Sequence, residues 1–72
     1  FQIDERLGNL SGMAYSLNKI GMIYSNQGKN LKALEILYKA LEIFTGLGLS
    51  ETPNAKNIKK EIQILKNKIP QN

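Results

Sequence analysis

No cysteine and no histidine occurs among the 72 residues. Without thiols no disulfide can staple a small fold, and without imidazole or thiolate neither a zinc site nor the base of a nucleophilic triad can be assembled. Arginine occurs once, at Arg6, so the planar group best suited to reading phosphate is nearly missing. No uncharged apolar run approaches the ~20 residues of a membrane span, because Lys19, Lys29, Lys32 and Lys39 interrupt the apolar stretches. Phe1-Gln2-Ile3 is unlike a signal peptide, and a first residue other than Met reads as a cut inside a longer protein. The chain is therefore expected to be soluble and cytoplasmic, with no membrane contact.

Catalytic signatures are missing as well. There is no phosphate-binding loop, no Gly-rich dinucleotide turn and no metal-ligand spacing. Asp4, Glu5, Glu35, Glu42, Glu51 and Glu61 form no inward-facing carboxylate pair that could work as acid and base. No catalysis, metal or cofactor is expected. No segment alternates with period two, so strands are not expected and the fold class is all-α.

What the sequence does contain is helical periodicity. Ala14, Leu17, Gly21 and Tyr24 follow 3-4-3 spacing, which predicts a helix over residues 10–27. Gly28 supplies a left-handed stop and Asn30 is expected to cap the next helix, leaving a link so short that the two helices form an antiparallel hairpin. The second helix, residues 31–47, buries Ala33, Leu34, Leu37, Ala40, Leu41 and Phe44 and turns Lys32, Glu35, Lys39 and Glu42 to water, with Gly46 and Gly48 marking its end. Thr52-Pro53 reads as a cap and first-turn proline. Ala55, Ile58, Ile62, Leu65 and Ile69 then repeat at 3-4-3-4 spacing until Pro70, with Lys56, Lys59, Lys60, Lys66 and Lys68 on the other face.

The chain also repeats itself. Residues 41–48 align with residues 1–8 at a shift of 40, and at a shift of 41 Ala14, Leu17, Gly21 and Tyr24 fall on Ala55, Ile58, Ile62 and Leu65. Residues 1–8 are accordingly read as the remnant of a preceding repeat, 9–48 as a complete hairpin and 52–69 as a C-terminal capping helix. Apolar burial of roughly 110 kcal/mol is matched by a similar entropy cost for a chain of this size, so stability beyond break-even is expected to come from association.

Leu17-Asn18-Lys19-Ile20-Gly21-Met22-Ile23-Tyr24, then Gly28, then Ala33-Leu34 and Tyr38-Lys39-Ala40-Leu41-Glu42, resembles a tetratricopeptide repeat, and the 40-residue spacing is similar to the longer, kinesin-light-chain-like bacterial form. Leu17 and Leu37 stand where that family commonly has aromatics. The resemblance implies about one and a half repeats of an α-solenoid. Independently of it, Gly21 and Ala33 are small enough to let two helices approach closely, and Ala40 leaves room beside the second helix.

Tyr15, Asn18, Met22 and Ser25 recur at 3-4-3 spacing on a neighbouring face of the first helix, with Lys19 and Asn26 at its edge. The resemblance places this face in the family's concave groove. Amides that bond a peptide backbone, beside adaptable Met and Tyr side chains, suit a peptide or a partner's helix. Met22 departs from the polar residue expected of a clamp for a terminal carboxylate. The alternative is a self-association element, a homodimer formed by stacking or swapping repeats through Phe1, Ile3, Leu7 and Ile64. Nucleic acid is not the expected partner, because every aromatic residue precedes the lysine-rich helix and none interleaves with it.

Overall fold

Where the apolar residues recur every three or four positions, the chain is helical. A computed structural model describes residues 5–69, with side chains described from Asn9 onward. It contains α1 (Glu5–Asn26), α2 (Asn30–Gly46) and α3 (Pro53–Lys68), and no strand among the described residues. The fold is all-α, a helical hairpin followed by a third helix. α1 starts five residues before the expected residue 10, so one continuous helix crosses the expected boundary between residues 8 and 9. Phe1, Ile3 and the side chain of Leu7 lie outside the described residues.

The two turns use one device. Gly28 and Gly48 take φ of 79° and 75°, a region in which a side chain is strained. Behind each, the chain folds back on the helix it leaves. Lys29 N–H donates to Tyr24 O at 2.9 Å and Gly28 N–H to Ser25 O at 3.0 Å, while Leu49 N–H donates to Phe44 O at 2.8 Å and Gly48 N–H to Thr45 O at 3.0 Å. These paired bonds satisfy carbonyls that a helix end otherwise leaves open. The first turn corrects the expected role of Asn30. Lys29 closes α1 with its N–H and begins α2 with its carbonyl, which accepts from Ala33 N–H at 2.9 Å. Asn30 is thereby drawn into the first turn of α2, and no side chain caps that helix.

α3 starts as its sequence implies. Thr52 Oγ1 accepts from Ala55 N–H at 3.4 Å and donates to Leu49 O at 2.7 Å, with Pro53 in the first turn, where its missing N–H costs nothing. The same hydroxyl therefore joins the turn after α2 to the start of α3.

The core runs along the hairpin and continues under α3. Ala14, Ala33, Leu37, Ala40, Phe44, Ala55, Ile58 and Leu65 are fully buried and Ile62 nearly so. Each of the four large, fully buried side chains, Phe44, Leu37, Ile58 and Leu65, contributes about 1.5–3 kcal/mol of transfer free energy. The small residues set the helix spacing. A methyl group built on Gly21 would stand 2.6 Å from Leu37 Cδ2 and 2.7 Å from its Cγ, so α1 and α2 meet at a contact that admits no side chain on α1. The result is long rather than round, 51 × 20 × 19 Å, and it leaves 5266 Å² accessible, more than the ~4,500 Å² expected of a compact chain this size.

Candidate functional site

α3 lies mainly against α2 and touches α1 through a hydrogen bond in which Ser25 Oγ donates to Glu61 Oε2 at 3.0 Å. That bond marks the sides of the two helices that meet. With Ala55, Ile58, Ile62 and Leu65 turned inward and Glu61 turned toward α1, a rotation of roughly 100° per residue leaves Asn57, Lys60, Ile64 and Lys68 on the side of α3 away from its buried ridge. On α1, the residues beyond those facing α3 are Tyr15, Lys19, Ile23 and Asn26. All eight are exposed. Helical rotation assigns both sets to the outward sides of two helices joined by the Ser25–Glu61 bond, and these sides together make the candidate open face.

The six residues of the expected groove divide across this arrangement. Tyr15, Lys19 and Asn26 lie on the open face, while Asn18, Met22 and Ser25 are half-buried along the side of α1 that meets α3. Met22 packs against the core. Ser25 is committed to Glu61. Tyr15 has a double character: its ring meets Phe44 edge-on, with centroids 5.3 Å apart and planes at 88°, yet part of it remains exposed. The edge-to-face geometry holds the ring in one orientation. Asn18 Oδ1 is buried and has no hydrogen-bond partner among the described residues, a state that costs about 1–3 kcal/mol for a polar group.

Two residues of the open face carry more of its apolar surface than the spacing on α1 alone reveals. Ile23 is 54% exposed and Ile64 is 38% exposed. Ile64, expected in self-association, lies on the outward side of α3. A signal for both exists in the repeat itself. The shift of 41 that aligns the buried ridges also carries Lys19 onto Lys60, Ile23 onto Ile64 and Asn26 onto Asn67. The outward positions therefore repeat along with the inward ones.

Other parts of the surface are chemically different. Lys39 and Glu35 form an exposed i,i+4 pair at 3.8 Å on α2, and Lys59 stands 3.8 Å from Glu51 and donates to Ser50 O at 3.0 Å beside the start of α3. A shallow cleft of about 540 Å³ lies where Lys68 and Ile69 approach Lys29, Leu31 and Lys32. Among the described residues no group of three or more acidic, His or Cys side chains could hold a metal ion. No helix of the described residues is long and apolar enough to cross a membrane. No protein-family model matches the chain, and neither a curated protein nor a solved structure matches it.

Proposed function

We propose that this chain is a non-catalytic interaction module that holds a peptide or a partner's helix on the open face of α1 and α3, as the likeness of its motif to a tetratricopeptide repeat implies. The observation that supports this reading is that face itself: Tyr15, Ile23 and Ile64 offer apolar contact, and Lys19 and Asn26 offer hydrogen bonds, on two helices held by a core beneath them. A pre-built surface loses little entropy when a ligand docks, which favours recognition by the folded module. Selection from a random peptide display library, followed by amide chemical-shift mapping of a recovered peptide, tests it. Shifts centred on Tyr15, Lys19, Ile23 and Asn26 are expected. Recovery of no peptide, or shifts confined to the charged side of α2, sinks the proposal.

A second reading, self-association, is favoured by a different observation. Leu10, Met13, Leu17, Ile20 and Tyr24 recur at 3-4-3-4 spacing on the flank of α1 turned away from Ser25, and Leu10, Met13 and Ile20 are exposed. That row has the spacing of a helix-pairing seam and contains no charge. Light scattering across a wide concentration range decides it. A dimer that Met13→Glu with Ile20→Lys converts to a monomer supports the reading; a monomer at every concentration removes it.

A further inference from the structure

The hairpin turn gathers charge of one sign. Because α1 ends and α2 begins there, and α3 runs back along α2, the end of α1, the start of α2 and the end of α3 share one end of the molecule. Lys29, Lys32 and Lys68 line the shallow cleft between them, and Lys66 stands in the same last turn of α3. All four are exposed, and residues 24–34 and 62–69 contain no acidic side chain. The nearest carboxylates along the chain are engaged further back: Glu35 pairs with Lys39, and Glu61, two turns of α3 before Lys68, accepts the Ser25 hydroxyl. Between Lys29 and Lys32 stands Leu31, 73% exposed, more than any other large apolar side chain described. With Ile69 it gives the cleft an apolar wall.

We infer that this end of the molecule is a docking surface for an anionic lipid bilayer, with Lys29, Lys32, Lys66 and Lys68 at the headgroup phosphates and Leu31 entering the acyl boundary. Such contact is peripheral, so it asks for no spanning helix, and it is independent of the open face. Two attractions of different kind act together. Each lysine close to an anionic membrane surface strengthens binding about fivefold, and these four lysines reach the number at which basic segments hold to anionic lipid. Burial of Leu31 adds an attraction that salt does not screen. Lysine serves both, because its stem lies along apolar matter while its head reaches charge. A free phosphate would satisfy the lysines and leave Leu31 in water. A nucleic acid would ask for a ring on which a base can stack, and Tyr24, the aromatic residue nearest the turn, has Lys29 Nζ over its ring at 5.6 Å from the centroid, so that face is covered.

Co-sedimentation with vesicles tests the inference, using phosphatidylcholine alone and equal parts of phosphatidylcholine and phosphatidylserine. The chain is expected to pellet with the mixed vesicles and to stay in solution with the neutral ones, and added salt is expected to release it. Lys29→Gln with Lys32→Gln is expected to lose more than about tenfold in affinity, whereas Lys56→Gln with Lys60→Gln, which removes the same charge nearer the other end of α3, is expected to change it by less than about threefold. Leu31→Ser is expected to lose about tenfold with no change of charge. All five positions are exposed, and circular dichroism checks that each variant keeps its helices. Failure of the wild type to pellet with the mixed vesicles overturns the inference. Equal losses in the two lysine pairs overturn it too, since binding then follows net charge rather than this end of the molecule. An unchanged affinity in Leu31→Ser has the same consequence, because a surface that reads charge alone makes no use of an acyl layer. If inorganic phosphate releases the chain at an ionic strength where chloride does not, the cleft takes a soluble anion; if a single-stranded oligonucleotide binds as tightly as the mixed vesicles, the end takes nucleic acid, and either result sinks the bilayer assignment.

Discussion

α1 and α3 are the same helix written twice and finished differently. At a shift of 41 their inward ridges coincide, Ala14 with Ala55, Leu17 with Ile58, Tyr24 with Leu65, but Gly21 is answered by Ile62. The exchange has a physical cause. α1 must lie against Leu37 of the helix that follows it, at a distance that excludes a methyl group. α3 meets no such constraint at Ile62, which fills space against α2 and stays 6% exposed. Their charges differ as well. Residues 7–28 hold one charged side chain, Lys19, whereas α3 holds six. A helix with apolar residues on two flanks is built for more than one neighbour, and one with a single apolar ridge opposite lysines is built for one neighbour and water.

The comparison breaks most severely in the residue that both helices depend on. Phe44 of α2 is fully buried and its ring meets Tyr15 of α1. Phe44→Ala is expected to cost about 3–5 kcal/mol, enough to unfold so small a chain. Loss of the helical circular dichroism signal at room temperature is the readout. Retention of a cooperative melt close to wild type would show that the core does not centre on this ring.

Glycine sharpens the contrast within α1 itself. Gly21→Ala is expected to destabilise by about 1–3 kcal/mol, because the fully buried Leu37 side chain must shift to admit the methyl group. Gly12 lies in the same helix, and a methyl group there would find nothing within 4 Å. Gly12→Ala is therefore expected to stabilise by about 0.5–1 kcal/mol through helix propensity alone. Chemical denaturation of the two variants measures both. Equal shifts of the same sign would mean that close approach plays no part at Gly21.

These glycines also show how far the sequence can be read. Gly21, Ala33 and Ala40 recur with the helical period among large residues, and that is a local pattern, so the hairpin and its close contact are legible. The start of α1 is not, because Gly8 and Gly12 lower helix propensity just where the helix begins. The expected Asn30 cap fails for a related reason: a turn this short needs Lys29 for both helices, and propensity at a single position does not report such sharing. For the candidate groove, spacing places Tyr15, Asn18, Met22 and Ser25 in one stripe. Which half of that stripe α3 covers depends on how α3 approaches, a tertiary fact fixed by Ser25 and Glu61 far apart in the chain.

The attachment of α3 can be weakened without touching α1. Thr52→Ala removes the cap bond to Ala55 N–H and the bond to Leu49 O, at a cost of about 1 kcal/mol. Hydrogen exchange is expected to quicken in the first turn of α3 while the amides of α1 keep their protection. Uniform acceleration across both helices would show that the three helices open as one unit.

The smallest effect is expected on the outer side of α2, away from the open face. Lys39 and Glu35 approach to 3.8 Å with both side chains 62% exposed, so water and salt screen their attraction and ordering two long side chains offsets much of it. Lys39→Gln is expected to change stability by less than about 0.5 kcal/mol. Chemical denaturation measures it, and a loss well beyond that would show the pair to be held more rigidly than its exposure implies.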